Sequence, residues 1–280
     1  MASTNLDAIL DGLAARFHRS LSETALPGQL WHYTDVDGLA GILGSGKLWA
    51  TSARSMEDIA EIRYGNDLVR QAAVELLPEP AIDRLLYDHD ATLFCGEDDM
   101  FMCCFTTEAD SPRQWGRNPR TASGGAIVLR PGQLTNVIRA QLQGSGLVRV
   151  RYDSDRVRRQ AEAYLKDVAK IATPLAVNDD DIKLIAQYMM EIGVLAFYTK
   201  QGRYSWEHEW RITKRLGLGY PPVVSTPKPH VEVDLDSDGQ HPVVEVWLGP
   251  DCSSANEAEV RRLAAHWSVP VRHSDKVASQ

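Results

Sequence analysis

The sequence lacks the short motifs and long apolar runs that identify many enzymes and membrane proteins. No run approaches the roughly 18 apolar residues that a membrane-spanning helix needs, and no stretch near the start reads as a signal peptide. There is no GxGxxG after a predicted strand, no Walker A motif, no GxSxG and no HExxH. The sequence therefore gives no support for a Rossmann or P-loop nucleotide site, for the nucleophile elbow of a serine hydrolase or for the zinc-binding helix of a metalloprotease.

Cysteine is also scarce. The chain has four cysteines, and no two of them form a CxxC pair: Cys95, Cys103, Cys104 and Cys252. This spacing predicts no structural zinc site. The adjacent Cys103 and Cys104 fall on an apolar strand and are interpreted as small core residues. A reducing, cytoplasmic environment is the expectation.

The charge balance is acidic, with a formal net charge of −8. This argues against tight nonspecific binding to nucleic acid, which needs a cationic face. A local exception is the group of five arginines at Arg149, Arg151, Arg156, Arg158 and Arg159. We favour a strand and a helix start with solvated arginines. A basic surface that binds phosphate groups is the alternative.

The order of predicted elements favours an α+β fold, because strands and helices mix without regular βαβ spacing. Hydrophobic spacing predicts helices over 5–21, after Thr34 or Asp35, and over 56–77, 81–89 and 254–267. It predicts strands over 30–33, 47–51, 101–107, 124–129, 147–152, 231–235, 243–248 and 269–271. We expect one domain over 1–280, with a helical insertion at about 153–200 that holds two helices broken near 174–180.

The first informative segment is Leu30–Thr34, which places His32 and Tyr33 on an apolar strand directly before a helix. A neutral imidazole has one donor and one acceptor nitrogen, so His32 can contact a ribose hydroxyl or a phosphate. A core histidine with satisfied hydrogen bonds is the alternative interpretation.

The second informative segment is Trp206–Arg211, in which Glu207 and Glu209 are two residues apart. On a strand, both would share one face and His208 would point to the other, which makes metal binding awkward; no metal site is predicted. A carboxylate here can bind a ribose hydroxyl and stabilise an oxocarbenium ion, as in the loss of nicotinamide from NAD. A solvated strand edge in which Arg211 pairs with Glu209 is the alternative.

Several motifs together resemble the bacterial DUF2971 family, most of whose members are uncharacterised. The first are Leu30–Thr34, Leu39–Leu43, Gly46–Trp49 and Glu209–Arg211. Further similar positions run along most of the chain: Cys104–Thr107, Trp115, Gly125 and Val246–Pro250. The chain departs from the family pattern at Glu57 and Ile59, where asparagine and proline are usual.

The opening segment also resembles the start of ADP-ribosyltransferases, including the DNA-modifying DarT type. The resemblance implies an ADP-ribosyltransferase-like split β-sheet core around an NAD cleft. It implies that His32 binds the adenosine-side ribose, that the Thr34 backbone contacts the nicotinamide amide and that Glu209 is the catalytic carboxylate, with Glu207 as its competitor. Three aromatic residues are candidates to stack on the nicotinamide: Tyr64, which is preferred, Tyr33 and Trp115.

The expected activity is therefore cleavage of NAD and transfer of ADP-ribose to an acceptor, with hydrolysis as a variant. Protein, DNA and RNA acceptors all stay open, as does the oligomeric state, and a toxin or phage-defence role is an expectation. A non-catalytic module that senses a nucleotide or nucleic acid is the alternative, and a 2′-phosphotransferase-like reaction on RNA is a third. The transferase interpretation expects His32 and Glu209 to face each other across one cleft.

Overall fold

The computed structural model describes residues 3–22, 25–56, 59–76, 100–117, 119–142, 145–172, 192–215, 228–236 and 241–276. The predicted helix at 81–89 and the predicted break at 174–180 lie outside these residues, as do Glu57 and Cys95. Within the described ranges, no helix has both the length and the apolar character to cross a membrane.

The described residues form helices and a mixed β-sheet, which confirms the α+β class. The helices are α1 (Ser3–Ser22), α2 (Val36–Ser45), α3 (Ile59–Leu76), α4 (Pro112–Arg117), α5 (Pro119–Ala122), α6 (Pro131–Gln141), α7 (Ser154–Ala172) and α8 (Ser254–Trp267). The strands are β1 (Leu30–Thr34), β2 (Lys47–Ser52), β3 (Met100–Thr106), β4 (Gly125–Leu129), β5 (Leu147–Arg149), β6 (Glu209–Arg215), β7 (His230–Asp234), β8 (Val243–Leu248) and β9 (Val271–His273). Short 3-10 helices cover Ala53–Ser55 and Gly202–Glu207.

The chain divides into two compact units, each built from three segments. The first unit holds 1–24, 52–100 and 148–205, and the second holds 25–51, 101–147 and 206–280. Residues 153–200, predicted as a helical insertion, fall in the first unit together with α1 and α3.

The first unit is built around an apolar cluster from α1, α3 and α7. Phe17 packs against Tyr164 with ring centroids 4.7 Å apart, and Val69 and Leu165 are fully buried in the same cluster. Gly65 allows α3 to approach residues 192–197 closely, because a Cβ there would lie 2.5 Å from the Ala196 carbonyl oxygen. The amphipathic N-terminal helix predicted from the sequence is thus confirmed.

The arginines near residue 150 differ in their surroundings. Arg149 is exposed, whereas Arg151 donates to the carbonyl oxygens of Ser20 and Leu21 at the end of α1. Cations are favoured beside such carbonyls. Burial, followed by the charge of Arg156, lowers the pKa of Arg151 to about 10. The prediction of solvated arginines therefore holds for Arg149 but not for Arg151, which binds carbonyl oxygens at the C-terminal end of α1.

In the second unit, the strands are ordered β6-β3-β1-β4-β8-β9, and β2 pairs with both β3 and β7. Strand β1 is antiparallel to β3, with Trp31 opposite Thr106, and antiparallel to β4, with His32 opposite Ile127. One face of this sheet buries the main apolar cluster, which includes Leu30, Phe105 and α8 residues. The other face carries a smaller cluster around Trp31 and Trp115.

Helix α2 begins and ends where the sequence predicts. Asp35 is its N-cap, because the carboxylate accepts from the Gly38 N–H at 2.8 Å. Gly46 ends the helix in the left-handed conformation at φ 74°, which favours glycine. The cap at Asp35 and the left-handed Gly46 therefore set the two ends of the helix that connects β1 with β2.

Three predicted elements differ in the structure. The predicted polar loop over 108–123 contains α4 and α5, and its Trp115 is fully buried. The last strand covers Val271–His273 rather than 269–271, and it is parallel to β8. Glu207 ends a 3-10 helix, His208 has φ 42°, and the strand begins only at Glu209, so the two glutamates do not lie on one strand, the condition under which they would share a face.

Candidate functional site

His32 lies on the sheet face that carries the main apolar cluster. Its Nδ1 is 2.8 Å from the Cys104 carbonyl oxygen and 3.7 Å from the Cys103 thiol, and its ring packs against Phe105. Burial lowers the pKa of His32, although the Cys104 carbonyl opposes the shift. The neutral imidazole therefore donates from Nδ1 to this carbonyl and presents Nε2 as an acceptor.

Tyr33 and Trp115 lie together on the opposite face. Their rings meet edge to face, with centroids 4.6 Å apart. The Tyr33 hydroxyl donates to the Glu108 carbonyl at 2.8 Å, and the Trp115 indole N–H donates to Asp110 at 2.9 Å. Because Trp115 has no exposed surface, its ring offers no open face for a nicotinamide.

Glu209 and Arg211 form a buried ion pair at the start of β6. The guanidinium contacts both carboxylate oxygens, with Nε to Oε1 at 2.6 Å and Nη2 to Oε2 at 3.3 Å. The exposed fractions of the two side chains are 4% and 3%. Two N–H donors fix the orientation of the carboxylate, as is typical of bidentate arginine pairs. The pairing of Arg211 with Glu209 that the sequence offered as an alternative is thus present.

Glu207 is a second buried carboxylate. It ends the 3-10 helix before β6, is 2% exposed, and lies 3.3 Å from the Arg117 guanidinium. Between the two glutamates, His208 has φ 42°, a conformation that is uncommon for residues other than glycine. Its Nδ1 is 2.5 Å from a carboxylate oxygen of Glu108. A buried carboxylate on each side of a strained residue is an arrangement that functional sites share.

A chain of hydrogen bonds connects Tyr33 with the segment of the two glutamates. Glu108 accepts from the Tyr33 hydroxyl and donates its own N–H to the Thr106 hydroxyl at 2.9 Å. The Thr106 hydroxyl in turn donates to the Glu207 carbonyl at 2.5 Å. The N–H of Thr107 bonds the His208 carbonyl at 3.4 Å. The end of β3 therefore positions the backbone that leads into Glu209.

The structure brings Tyr33, Trp115 and the glutamate segment, residues 207–209, into one neighbourhood. His32 packs against Phe105 on the face of the main apolar cluster. Trp210 and Ile212 pack into the main apolar cluster with Phe105. Because side chains alternate along a strand, Glu209 projects from the face of β6 opposite Trp210. Its charge still contributes, after burial and the neighbouring Cys104, to the raised pKa of the Cys103 thiol, which lies 3.7 Å from His32 Nδ1. The expectation that the His32 imidazole and the Glu209 carboxylate face each other across one cleft stays a prediction.

Two further residues predicted from the sequence have distinct surroundings. Thr34 is half-buried at the end of β1, opposite Gly125 of β4. Tyr64 is half-buried on α3, in the first unit.

The sequence interpretation missed Thr106, Glu108 and Arg117, which bind the glutamate segment. Thr106 is buried next to an apolar strand end, and a buried hydroxyl normally has a hydrogen-bond partner. The sequence could have indicated this, because Thr106 directly follows the apolar run 100–105. No signal could connect Arg117 with Glu207, because the contact joins segments 90 positions apart in the chain.

The described ranges contain no group of three or more histidine, cysteine or acidic side chains able to hold a metal ion. Comparison of the chain with protein-family models, curated proteins and solved structures finds no match. The resemblance to the DUF2971 family and to ADP-ribosyltransferases therefore stays a prediction based on the motifs quoted above.

Proposed function

We propose that this protein is an NAD-dependent ADP-ribosyltransferase, with an ADP-ribosyltransferase-like core, that cleaves the nicotinamide–ribose bond and transfers ADP-ribose to an acceptor. The supporting observation is the pair of buried carboxylates at the start of β6, hydrogen-bonded through Thr106 and Glu108 to Tyr33. A fold seldom buries charged groups unless they are paired and needed.

The chemistry needs a negative charge beside the anomeric carbon. When the bond between this carbon and the nicotinamide nitrogen breaks, the electron pair leaves with nicotinamide and the ribose becomes a cation. In the proposal, Glu209 binds the 2′-hydroxyl and stabilises this cation, while the acceptor attacks the anomeric carbon and loses a proton. A preoriented carboxylate in a site with little water stabilises such charge by several kcal/mol.

Arg211 has a positioning role in this scheme. It contacts both oxygens of Glu209, so a bound ribose hydroxyl shares or replaces one of these N–H donors. Glu207, which Arg117 contacts from α4, is the rival carboxylate. The ribose-binding role of His32 is a separate prediction, because His32 lies on the face of β1 opposite Tyr33.

The burial of Glu209 favours a second candidate, a module that binds a nucleotide without turnover. A carboxylate whose side chain is 4% exposed and held by two N–H donors also suits a purely structural ion pair. In this alternative, the same face recognises a nucleotide or a nucleic-acid end, and no bond is cleaved.

The decisive experiment is incubation of the purified protein with NAD carrying a labelled nicotinamide, with and without cell extract as a source of acceptors. The proposal expects release of labelled nicotinamide. When the label is placed on the adenosine part of NAD instead, the proposal expects it to become attached to an acceptor in the extract. Saturable NAD binding without release under either condition would support the binding module.

Variants identify the carboxylate. Glu209→Gln is expected to abolish release, and Glu207→Gln to reduce it only partly. Glu245→Gln is the matched control, because Glu245 is a half-buried strand carboxylate in the same unit that contacts Arg272. A Glu209→Gln protein that is folded and turns over NAD normally would reject Glu209 as the catalytic residue.

A further inference from the structure

Trp206, the residue directly before Glu207, makes a cation–π contact with Arg113. The Arg113 guanidinium carbon lies 5.7 Å from the Trp206 ring centroid, within the range of a cation–π contact. Trp206 is half-buried and Arg113 is exposed. Arg117, one turn along α4, contacts Glu207 next in the chain. Two arginines from one short helix thus cover the segment 206–207.

The Arg113 guanidinium, a planar cation, resembles the nicotinamide ring of NAD, the proposed substrate, in shape and charge. The nicotinamide ring of NAD is a planar pyridinium with a positive charge, whereas the reduced ring of NADH is neutral. Tryptophan binds cations on its face more strongly than tyrosine or phenylalanine. We propose that Trp206 binds the pyridinium ring of NAD, and that Arg113 occupies this ring face until the dinucleotide displaces it.

The inference rests on the proposed function and deepens it, because it assigns a residue that selects the oxidised dinucleotide. Of the aromatic candidates on the carboxylate face, Trp115 is fully buried and Tyr33 is hydrogen-bonded to the Glu108 carbonyl. Trp206 is only half-buried and lies three residues before Glu209. Release of neutral nicotinamide then ends the cation–π contact, which favours departure of the product.

The test compares NAD with NADH. Binding of NAD and of NADH is measured by calorimetry in proteins that also carry Glu209→Gln, because NAD is not consumed there. The KM for NAD is measured in the same variants with Glu209 unaltered. Trp206→Leu is expected to weaken NAD binding about two- to fivefold, the range of an exposed cation–π contact, and to leave NADH binding unchanged. Trp206→Phe should retain part of the preference, and Arg113→Ala should tighten NAD binding.

Trp49→Leu is the matched control, because Trp49 is a 42% exposed tryptophan of the same unit that stacks on His230. The inference is overturned if Trp206→Leu weakens NAD and NADH equally or has no effect, or if Arg113→Ala weakens NAD binding. These results leave the proposed function standing as long as the unaltered protein releases nicotinamide. An unaltered protein that neither binds NAD nor releases nicotinamide rejects both.

Discussion

The hydroxyl of Thr106 joins the end of β3 to the carbonyl of Glu207, at a distance of 2.5 Å. The same hydroxyl accepts the N–H of Glu108. One buried side chain therefore organises both the turn after β3 and the turn before β6. Since His208 follows Glu207 with a left-handed φ of 42°, we infer that this bond helps to hold the strained backbone on which Glu209 depends.

Replacement of Thr106 tests this positioning role. Thr106→Val keeps the shape but removes the hydroxyl, which leaves the Glu108 N–H and the Glu207 carbonyl without this partner. We expect a loss of about 1–3 kcal/mol in the free energy of unfolding. We expect nicotinamide release to fall about 100-fold in kcat, because small misplacements of a reacting group have effects of that order.

Thr106→Ser is the rescue variant, because serine restores the hydroxyl. It should recover most of the kcat with little change in KM. A Thr106→Val protein with normal kcat and normal stability would show that the hydroxyl has no positioning role.

The buried pair of Glu209 and Arg211 predicts an asymmetric response to mutation. Arg211→Met leaves the Glu209 carboxylate without its bidentate partner in a buried position, and this is expected to lower the free energy of unfolding by about 3–5 kcal/mol. The double variant Glu209→Leu with Arg211→Met removes both charges and should be less destabilised than Arg211→Met alone. Urea unfolding curves followed by tryptophan fluorescence measure both.

Arg272→Met is the control for that series, because Arg272 is exposed and its contact with Glu245 lies on the surface. It should change the free energy of unfolding by less than about 1 kcal/mol. Equal destabilisation by Arg211→Met and by the double variant would mean that the pair is held by packing rather than by charge.

Local signals in the sequence predict the elements of this fold better than their arrangement. The cap at Asp35, the stop at Gly46 and the apolar run in Val243–Leu248 each act within a few residues, and the helix and the strand that they predict are confirmed. The 3-10 helix before Glu209 could not be predicted in this way. Its last residue, Glu207, accepts a hydrogen bond from Thr106, which is 101 positions away. The condition that Glu207 and Glu209 lie on one strand therefore fails at Glu207.

The candidate site shows the same limit. Alternation on β1 alone predicts that His32 and Tyr33 face opposite sides, but it does not say which side Glu209 shares. That depends on Trp210 packing into the apolar cluster of Phe105, a tertiary contact between β6 and β3. The residue types of the site were thus predictable, whereas their grouping on one face required the strand order.

His32 predicts a dependence of stability on acid. Burial lowers its pKa in the folded protein below the ordinary value of about 6.5. The unfolded chain therefore binds a proton that the folded protein does not, over the range between the two pKa values. The stabilising contribution is complete above pH about 6.5 and is lost as the pH falls towards the folded pKa.

His32→Asn should remove this part of the pH dependence, because asparagine does not titrate. The measurement is the free energy of unfolding between pH 5 and pH 8, roughly the range in which histidine changes charge. His266→Asn, which alters an exposed histidine on α8, is the control. Parallel pH profiles for the unaltered protein and His32→Asn would contradict a neutral imidazole with a lowered pKa at this half-buried position.

Two helical glycines in the first unit predict effects of opposite sign. At Gly65 on α3, an added Cβ would lie 2.5 Å from the Ala196 carbonyl oxygen and 2.6 Å from its Cα. Backbone cannot yield as a flexible side chain can, so Gly65→Ala is expected to destabilise the protein by about 1–3 kcal/mol. At Gly12 on α1, an added Cβ would meet no atom of the described residues within 4 Å, so Gly12→Ala should stabilise the helix by about 0.5–1 kcal/mol. Thermal unfolding of both variants measures the difference, and a Gly65→Ala protein as stable as Gly12→Ala would mean that α3 does not pack this closely against residues 192–197.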